Sequence, residues 1–447
     1  MTSRSGAGAG PSSAPRSRVP TPTADVAHLL RRAGFGAPTA RVATLAAEEW
    51  ADLVDLLLDA GPAPADPYPG TGTTSSWNAF VAMIQAWIDR MANGPTPLLE
   101  KMTLIWHGHL TTSLSKTYEP AWLWEQNRVL RRNALGNLRT MLKEVAVTPA
   151  MLDYLDNRHN RVGAPNENWA RELMELFVLG AGSGYTQDDV VAMSRAWTGH
   201  TIDGATRTYR FRSDRHDSGQ KTLLGVTRNW DGPEAIDHLL DGPLRMTAAR
   251  FVARKVFAHL AHPSPSSGTV DALATTFAAS DWDIRTLVRS ILLHADFRST
   301  AARQGLVRAP VEFAAAVTRC SGLPVGTVHP EWWLHDMGQR PFDPPNVSGW
   351  RQNEYWLTTS AMGVRFKMAR NVTWGLYEDP NFLPGFESGT PTQVVSAVCD
   401  RFEVTPSPAT RTRLEAQVSE LRAAGHSWAV RPNLITLVMV TPEFNLA

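Results

Sequence analysis

The sequence predicts an all-α protein: a large single helical domain over residues 24–447 with a short inserted β-hairpin. Apolar residues recur at spacings of three and four through most of the chain, which is the period of an amphipathic helix. Gly and Pro punctuate these segments where helices end and begin. Only one stretch alternates with period two.

Taken in order, residues 1–23 hold Ser, Gly, Ala, Pro, Thr and Arg without an acidic residue, and are expected to be a disordered basic tail. VAHLLRRAGF predicts a helix closing at Gly34 or Gly36, and VATLAAEEWADLVDLLLDAG a second one ending at Gly61. A loop follows over 61–76. Helical periodicity resumes at 77–92, 97–107, 119–145, 166–179, 186–198, 233–240, 245–261, 268–278, 283–294, 309–321, 358–371, 391–402 and 408–422. The hairpin is expected from TYRFR at 208–212, a turn at HDSGQ, and KTLLGV at 221–226. RPFDPPNVSGWRQNEYW, 340–356, has too much Pro, Gly and Asn for helix and reads as a long ordered loop pinned by Trp350, Tyr355 and Trp356.

Composition removes several function classes. With 44 Lys+Arg against 43 Asp+Glu the chain is too balanced to coat a polyanion, so nucleic acid is not an expected partner. No window approaches 18 consecutive apolar residues, so no membrane span is expected. Cys320 and Cys399, without a CxxC pair, build neither a zinc cage nor a disulfide framework, and a cytoplasmic location is the expectation. The Arg31 and Arg32 pair is followed by Pro, Arg and Glu rather than an apolar run, which makes it structural and not an export signal.

The chemistry is expected around GAPNENWARELMELFVLG, 163–180, read as a helix with Pro165 in its first turn and Gly180 beyond its end. At about 100° per residue, Asn168, Arg171, Glu172 and Glu175 share one stripe of a mostly apolar, hence buried, helix. One Arg facing two carboxylates leaves one unpaired, which invites a cation; the competing reading is an internal ladder from Arg171 to Glu175. KMTLIWHGHLTTS offers His107 and His109 as metal ligands if the backbone is extended, whereas in a continuous helix the two rings point apart. His216 and Asp217 can serve acid–base chemistry or simply make the hairpin turn, with Lys221 beside them. Asn157, Asn166 and Asn168 lie where amides either bind a polar ligand or cap a helix.

Several of these strings resemble a bacterial family of unknown function, the DUF1800 proteins: HLLRRAGFG, KMTLIWHGHLTTS, GAPNENWARELMELFVLG, HDSGQKTLLG and RPFDPPNVSGW, with coverage of about residues 25–375. The resemblance implies His at the positions of His107, His109 and His216, and the Asn-x-Asn and Arg-Glu-x-x-Glu pattern at 166–175. It also implies genomic association with a DUF1501-type protein partner. Gly108 stands where the family more usually has Asn, and Phe177 where His is frequent.

The resulting expectation is a metalloenzyme with a divalent metal on His107, His109, Glu172 and Glu175. Arg171, His216 and Asp217 would act catalytically, and Asn157, Asn166, Asn168 and Lys221 would bind a polar or anionic small molecule or modified peptide. Such ligands suit Fe or Mn, with Zn also compatible. Oxidation is preferred over hydrolysis, and a non-catalytic scaffold for the DUF1501-type partner is the competing class.

Overall fold

The computed structural model describes residues 19–447 apart from 60, 62–64, 67–75, 378, 380, 381, 384 and 385. Residues 1–18 of the expected tail and most of the 61–76 loop therefore lie outside the described residues. Ordered packing begins before residue 24, because Thr21 is buried and donates from its backbone N and its Oγ1 to the carbonyl of Glu48.

The chain is mainly α-helical, and most expected helices are present within a residue or two. Where they differ, local chemistry explains it. The segment expected as one helix over 42–61 is two, Thr39–Leu45 and Trp50–Leu58, broken where the Ala46 and Glu48 carbonyls turn to meet Thr21. The 119–145 segment also divides, into Pro120–Asn133 and Leu138–Ala146, with Asn137 capping the second through Thr140. Val430–Met439 is an unexpected helix whose apolar run carries Pro432 in its first turn.

The inserted β structure is two ribbons rather than one hairpin. Tyr209–Phe211 pairs antiparallel with His200–Ile202, and Lys221–Leu223 pairs with Val226–Arg228. Leu224 and Gly225 both take positive φ, 45° and 82°, which makes the two-residue turn that folds Lys221–Leu223 onto Val226–Arg228. HDSGQ is thus a connection between ribbons.

Two apolar cores hold the helices. The helix Pro97–His109 is the wall between them: Met102, Ile105 and Trp106 belong to one core and Leu104 to the other. That position explains a helix that is buried on nearly all sides. The helix Pro120–Asn133 does the same, giving Leu130 to the first core and Leu123 and Trp124 to the second. Over the end of the 97–109 helix lies the long loop, anchored by buried Phe342 and Trp356, while Tyr355 points outward. Among the described residues no helix is long and apolar enough to cross a membrane.

Candidate functional site

The expected metal ligands do not converge. Pro97–His109 is one continuous helix, so His107 and His109 face different cores. His107 sits among Trp87, Phe342 and Trp350, and its Nε2 accepts the backbone N–H of Phe342 at 2.9 Å. His109 faces Phe177 and Phe251, and its Nε2 is 2.8 Å from the carbonyl of Phe177, to which it donates. Burial holds His107 down to about 3, helped by the Arg131 charge, and holds His109 well below its ordinary value. Among the described residues no group of three or more His, Cys, Asp or Glu is placed to hold a metal ion. The residues present do not fit the expected centre.

The Arg171 stripe is half-exposed, a correction to its expected burial. The helix starts at Asn168, not Pro165, because Asn160 Oδ1 takes the N–H of Asn166 and Asn166 Oδ1 that of Asn168. It widens into a π segment at Leu173–Val178 before Gly180 takes φ 90°. Arg171 donates to Glu167 Oε2 at 2.7 Å and Glu175 Oε1 at 3.3 Å, a surface ladder. The Glu172 carboxylate has no hydrogen-bond partner among the described residues, and burial followed by Glu175 raises its pKa.

His216 and Asp217 take the turn role. His216 Nδ1 donates to the Thr198 carbonyl at 2.9 Å, and Asp217 accepts from Arg195 Nε at 2.7 Å and from Gly219 N at 2.8 Å. Arg195 holds the Asp217 carboxyl below its ordinary value. Lys221 is buried and donates to the Gly219 carbonyl and Asn229 Oδ1. Asn157 is likewise buried, accepting from Asn160 Nδ2 at 3.0 Å, and Asn168 Nδ2 reaches Asp156 Oδ2 at 3.4 Å.

A different cleft brings together two of the sequence strings, KMTLIWHGH and the long loop. Its enclosed part is small, about 70 Å³, within about 660 Å³ of space that includes the open mouth. Lys101, Leu104, Ile105 and Gly108 line it as one helical stripe at spacings of three, four and seven. Trp350 and Trp356 from the loop, His259 from the helix Arg245–Leu260, and Glu312 from the helix Pro310–Ser321 complete it.

Its polar groups are fixed by the backbone. Lys101 Nζ bonds Glu312 Oε1, and Glu312 Oε2 accepts the N–H of Ala309 at 3.0 Å. Burial acts to raise the Glu312 carboxyl, but Lys101 outweighs it and holds the pKa below its ordinary value. Gln339 and Asn353 spend their side-chain oxygens on the N–H groups of Val311 and Val307, at 2.9 and 2.8 Å. Each then keeps its NH₂ as a donor on the cleft wall. Gln352 donates to His259, which burial, then the Lys255 charge, brings down to about 4. That imidazole is neutral at pH 7.

Sequence reasoning missed Lys101, His259, Glu312 and Gln339. One signal was available: Lys101 and Glu312 are charges inside helical runs that are otherwise apolar on the same face, KMTLIW and PVEFAAAV.

Residues 28–446 match the family described as a protein of unknown function, DUF1800, and the chain belongs to that family. Neither curated proteins nor solved structures give a match to it.

Proposed function

We propose that the protein binds and acts on a small molecule bearing a carboxylate or comparable oxyanion in the cleft between Lys101 and Trp350, within a cytoplasmic setting. One observation carries this reading: the cleft wall offers the NH₂ groups of Gln339 and Asn353 and the N–H groups of Lys101 left over from its pair with Glu312, the one carboxylate among the described lining residues. A donor-rich cleft selects a ligand rich in acceptors. Trp350 and Trp356 supply apolar contact for the ligand body. His259, neutral and both donor and acceptor, is the group that moves a proton. The divalent metal expected on His107, His109, Glu172 and Glu175 takes no part in this reading, because those side chains are not gathered.

The test is a ligand-observed NMR screen of mono- and dicarboxylates and phosphomonoesters. A Cβ at Gly108 would lie 3.6 Å from Trp350, so Gly108→Leu drives its side chain against Trp350 and into the cleft, and circular dichroism confirms that the variant folds. A hit that disappears in Gly108→Leu supports the site, and turnover of that hit falls about 100-fold in His259→Gln if His259 moves the proton. Binding that survives Gly108→Leu, or a screen without a hit, refutes the reading.

A second reading, a docking partner for a DUF1501-type protein, is favoured by the exposed aromatic face of Phe366, Trp374 and Trp428. Co-purification lost in a Trp374→Ala, Trp428→Ala variant tests it.

A further inference from the structure

Behind the cleft wall the protein holds more positive charge than its carboxylates balance. Lys101 lies over the Phe35 ring at 4.8 Å, and Arg319 donates to the Phe35 carbonyl at 2.8 Å. Arg308 stacks over Phe444 at 4.8 Å, and Arg365 donates to the Arg308 carbonyl at 2.6 Å. Arg31 and Arg32 end the helix Thr23–Arg32 that precedes Phe35. Six cationic side chains therefore gather near two aromatic rings, Phe35 and Phe444.

Two carboxylates are ion-paired inside the cluster, and a third, Asp400, lines the outer groove beside Arg31. Glu312 bonds Lys101, and Glu403 makes a two-armed pair with Arg319 at 2.6 and 2.9 Å. The other titratable neighbours stay neutral at pH 7: burial pushes the Cys320 thiol up to about 12, and burial holds His28 down to about 3. Among the described residues Arg31, Arg32, Arg308 and Arg365 have no carboxylate within ion-pair distance.

Arg32 and Arg365 use protein oxygens, the former the carbonyls of Ala261 and Ala302 and the latter Asn445 Oδ1 and the Arg308 carbonyl. Arg308 has no such relief. It is 3% exposed, and its Nη1 is buried without an acceptor. Arg31 Nε is in the same condition, and the two guanidiniums feel each other's charge. A buried guanidinium with an unused N–H is costly unless an anion meets it. Arg31 also lines a groove with Thr23, Thr39, Asp400 and Glu403, so its side chain is reached by ions from solvent.

We infer that Arg308, with Arg31, holds a small inorganic anion, chloride or a phosphate-sized oxyanion, buried between the groove at Thr23 and the wall of the cleft. This site is separate from the ligand proposed for the cleft, since Arg308 does not line it. The anion neutralises part of the cluster and so stabilises the fold whenever it binds the native state alone.

Chloride NMR line width measures the ion directly, and thermal unfolding in sodium chloride or phosphate against sodium gluconate at equal ionic strength measures its linkage. The expected result is a chloride signal broadened several-fold by wild type and sharpened again by added phosphate, with a Tm about 2 °C or more higher in chloride than in gluconate. Both effects are lost in Arg308→Met, and weakened in Arg31→Met, which changes a half-exposed side chain and carries the test if Arg308→Met does not fold. Gly108→Leu keeps both effects; their loss there places the ion in the cleft and overturns the inference. Equal line widths in wild type and a folded arginine variant, or equal Tm in chloride and gluconate, overturn it as well.

Discussion

Gly349 is packed against the backbone of Gly108: a Cβ on Gly349 would stand 2.1 Å from the Gly108 carbonyl oxygen. Gly349 also has φ 78°, a conformation that favours glycine. The long loop can therefore seat Trp350 in the cleft only with glycine at this position. Gly349→Ala is expected to cost about 2 kcal/mol or more and to lift the loop off the helix. Urea unfolding and Trp fluorescence check it. Gly108→Ala places a Cβ in ordinary contact with Trp350 and is the near-neutral comparison.

Lys101 and Glu312 are a pair whose partners cannot be removed singly without a penalty. Lys101 is 4% exposed, so Glu312→Gln leaves a buried ammonium without its counter-charge. Each single change, Lys101→Met or Glu312→Gln, is expected to cost about 3–5 kcal/mol. The double variant is expected to recover part of that loss. A double-mutant cycle by chemical denaturation reads the coupling, and additive costs would show that the pair is not coupled.

The fold was legible because helical periodicity and caps are local signals: Asp231, Ser266, Asp283, Thr390 and Ser407 each cap a helix that the pattern located. The candidate site was less legible. HGH and the Arg-Glu-x-x-Glu stripe stood out by residue type, but whether such residues meet depends on helix packing. His107 and His109 lie on a helix shared by two cores, a tertiary fact that spacing does not carry. Lys101, His259 and Glu312 come from three distant segments, and each alone looks like an ordinary helix residue. The pairing of Lys221–Leu223 was misread because Leu at a positive φ is a poor turn signal.

His107 serves the Phe342 backbone, and its replacement should be felt in stability rather than in metal content. His107→Ala leaves the Phe342 N–H buried without an acceptor and opens space among Trp87, Phe342 and Trp350, at a cost of about 2–4 kcal/mol. Elemental analysis of untagged protein purified without chelator is expected to give the same metal content for wild type and His107→Gln. Stoichiometric Fe, Mn or Zn lost in the variant would restore the metal expectation.

Acid should unfold this protein early. His28 and His107 are held down to about 3, and His200 and His259 to about 4, by burial in every case. Their ordinary value is 6.5, so the unfolded chain binds protons that the native state refuses. Stability from these groups is complete above pH 6.5 and is lost as pH falls through the window toward 3–4. Each fully buried imidazole contributes a slope of up to about 1.4 kcal/mol per pH unit. Urea unfolding at pH 7.5 and 5.5 is expected to differ by roughly 2 kcal/mol or more, and a flat profile would show that these histidines are not buried neutral.

Glu172 has the opposite sign. Its pKa is raised first by burial and then by Glu175, with Arg171 opposing, so its favourable contribution is present below 4.5 and lost as pH rises through the folded value. At pH 7 the charged carboxylate is therefore a cost, and Arg171, already shared between Glu167 and Glu175, does not remove it. Glu172→Gln is expected to stabilise the protein at pH 7 by a few tenths to about 1 kcal/mol, reduced by solvent because the group is half-exposed. That advantage should vanish by pH 4, where both side chains are neutral. Urea unfolding at the two pH values decides it: a loss of stability at pH 7 would mean that Glu172 meets a cation in the purified protein, returning the carboxylate stripe to the list of metal ligands.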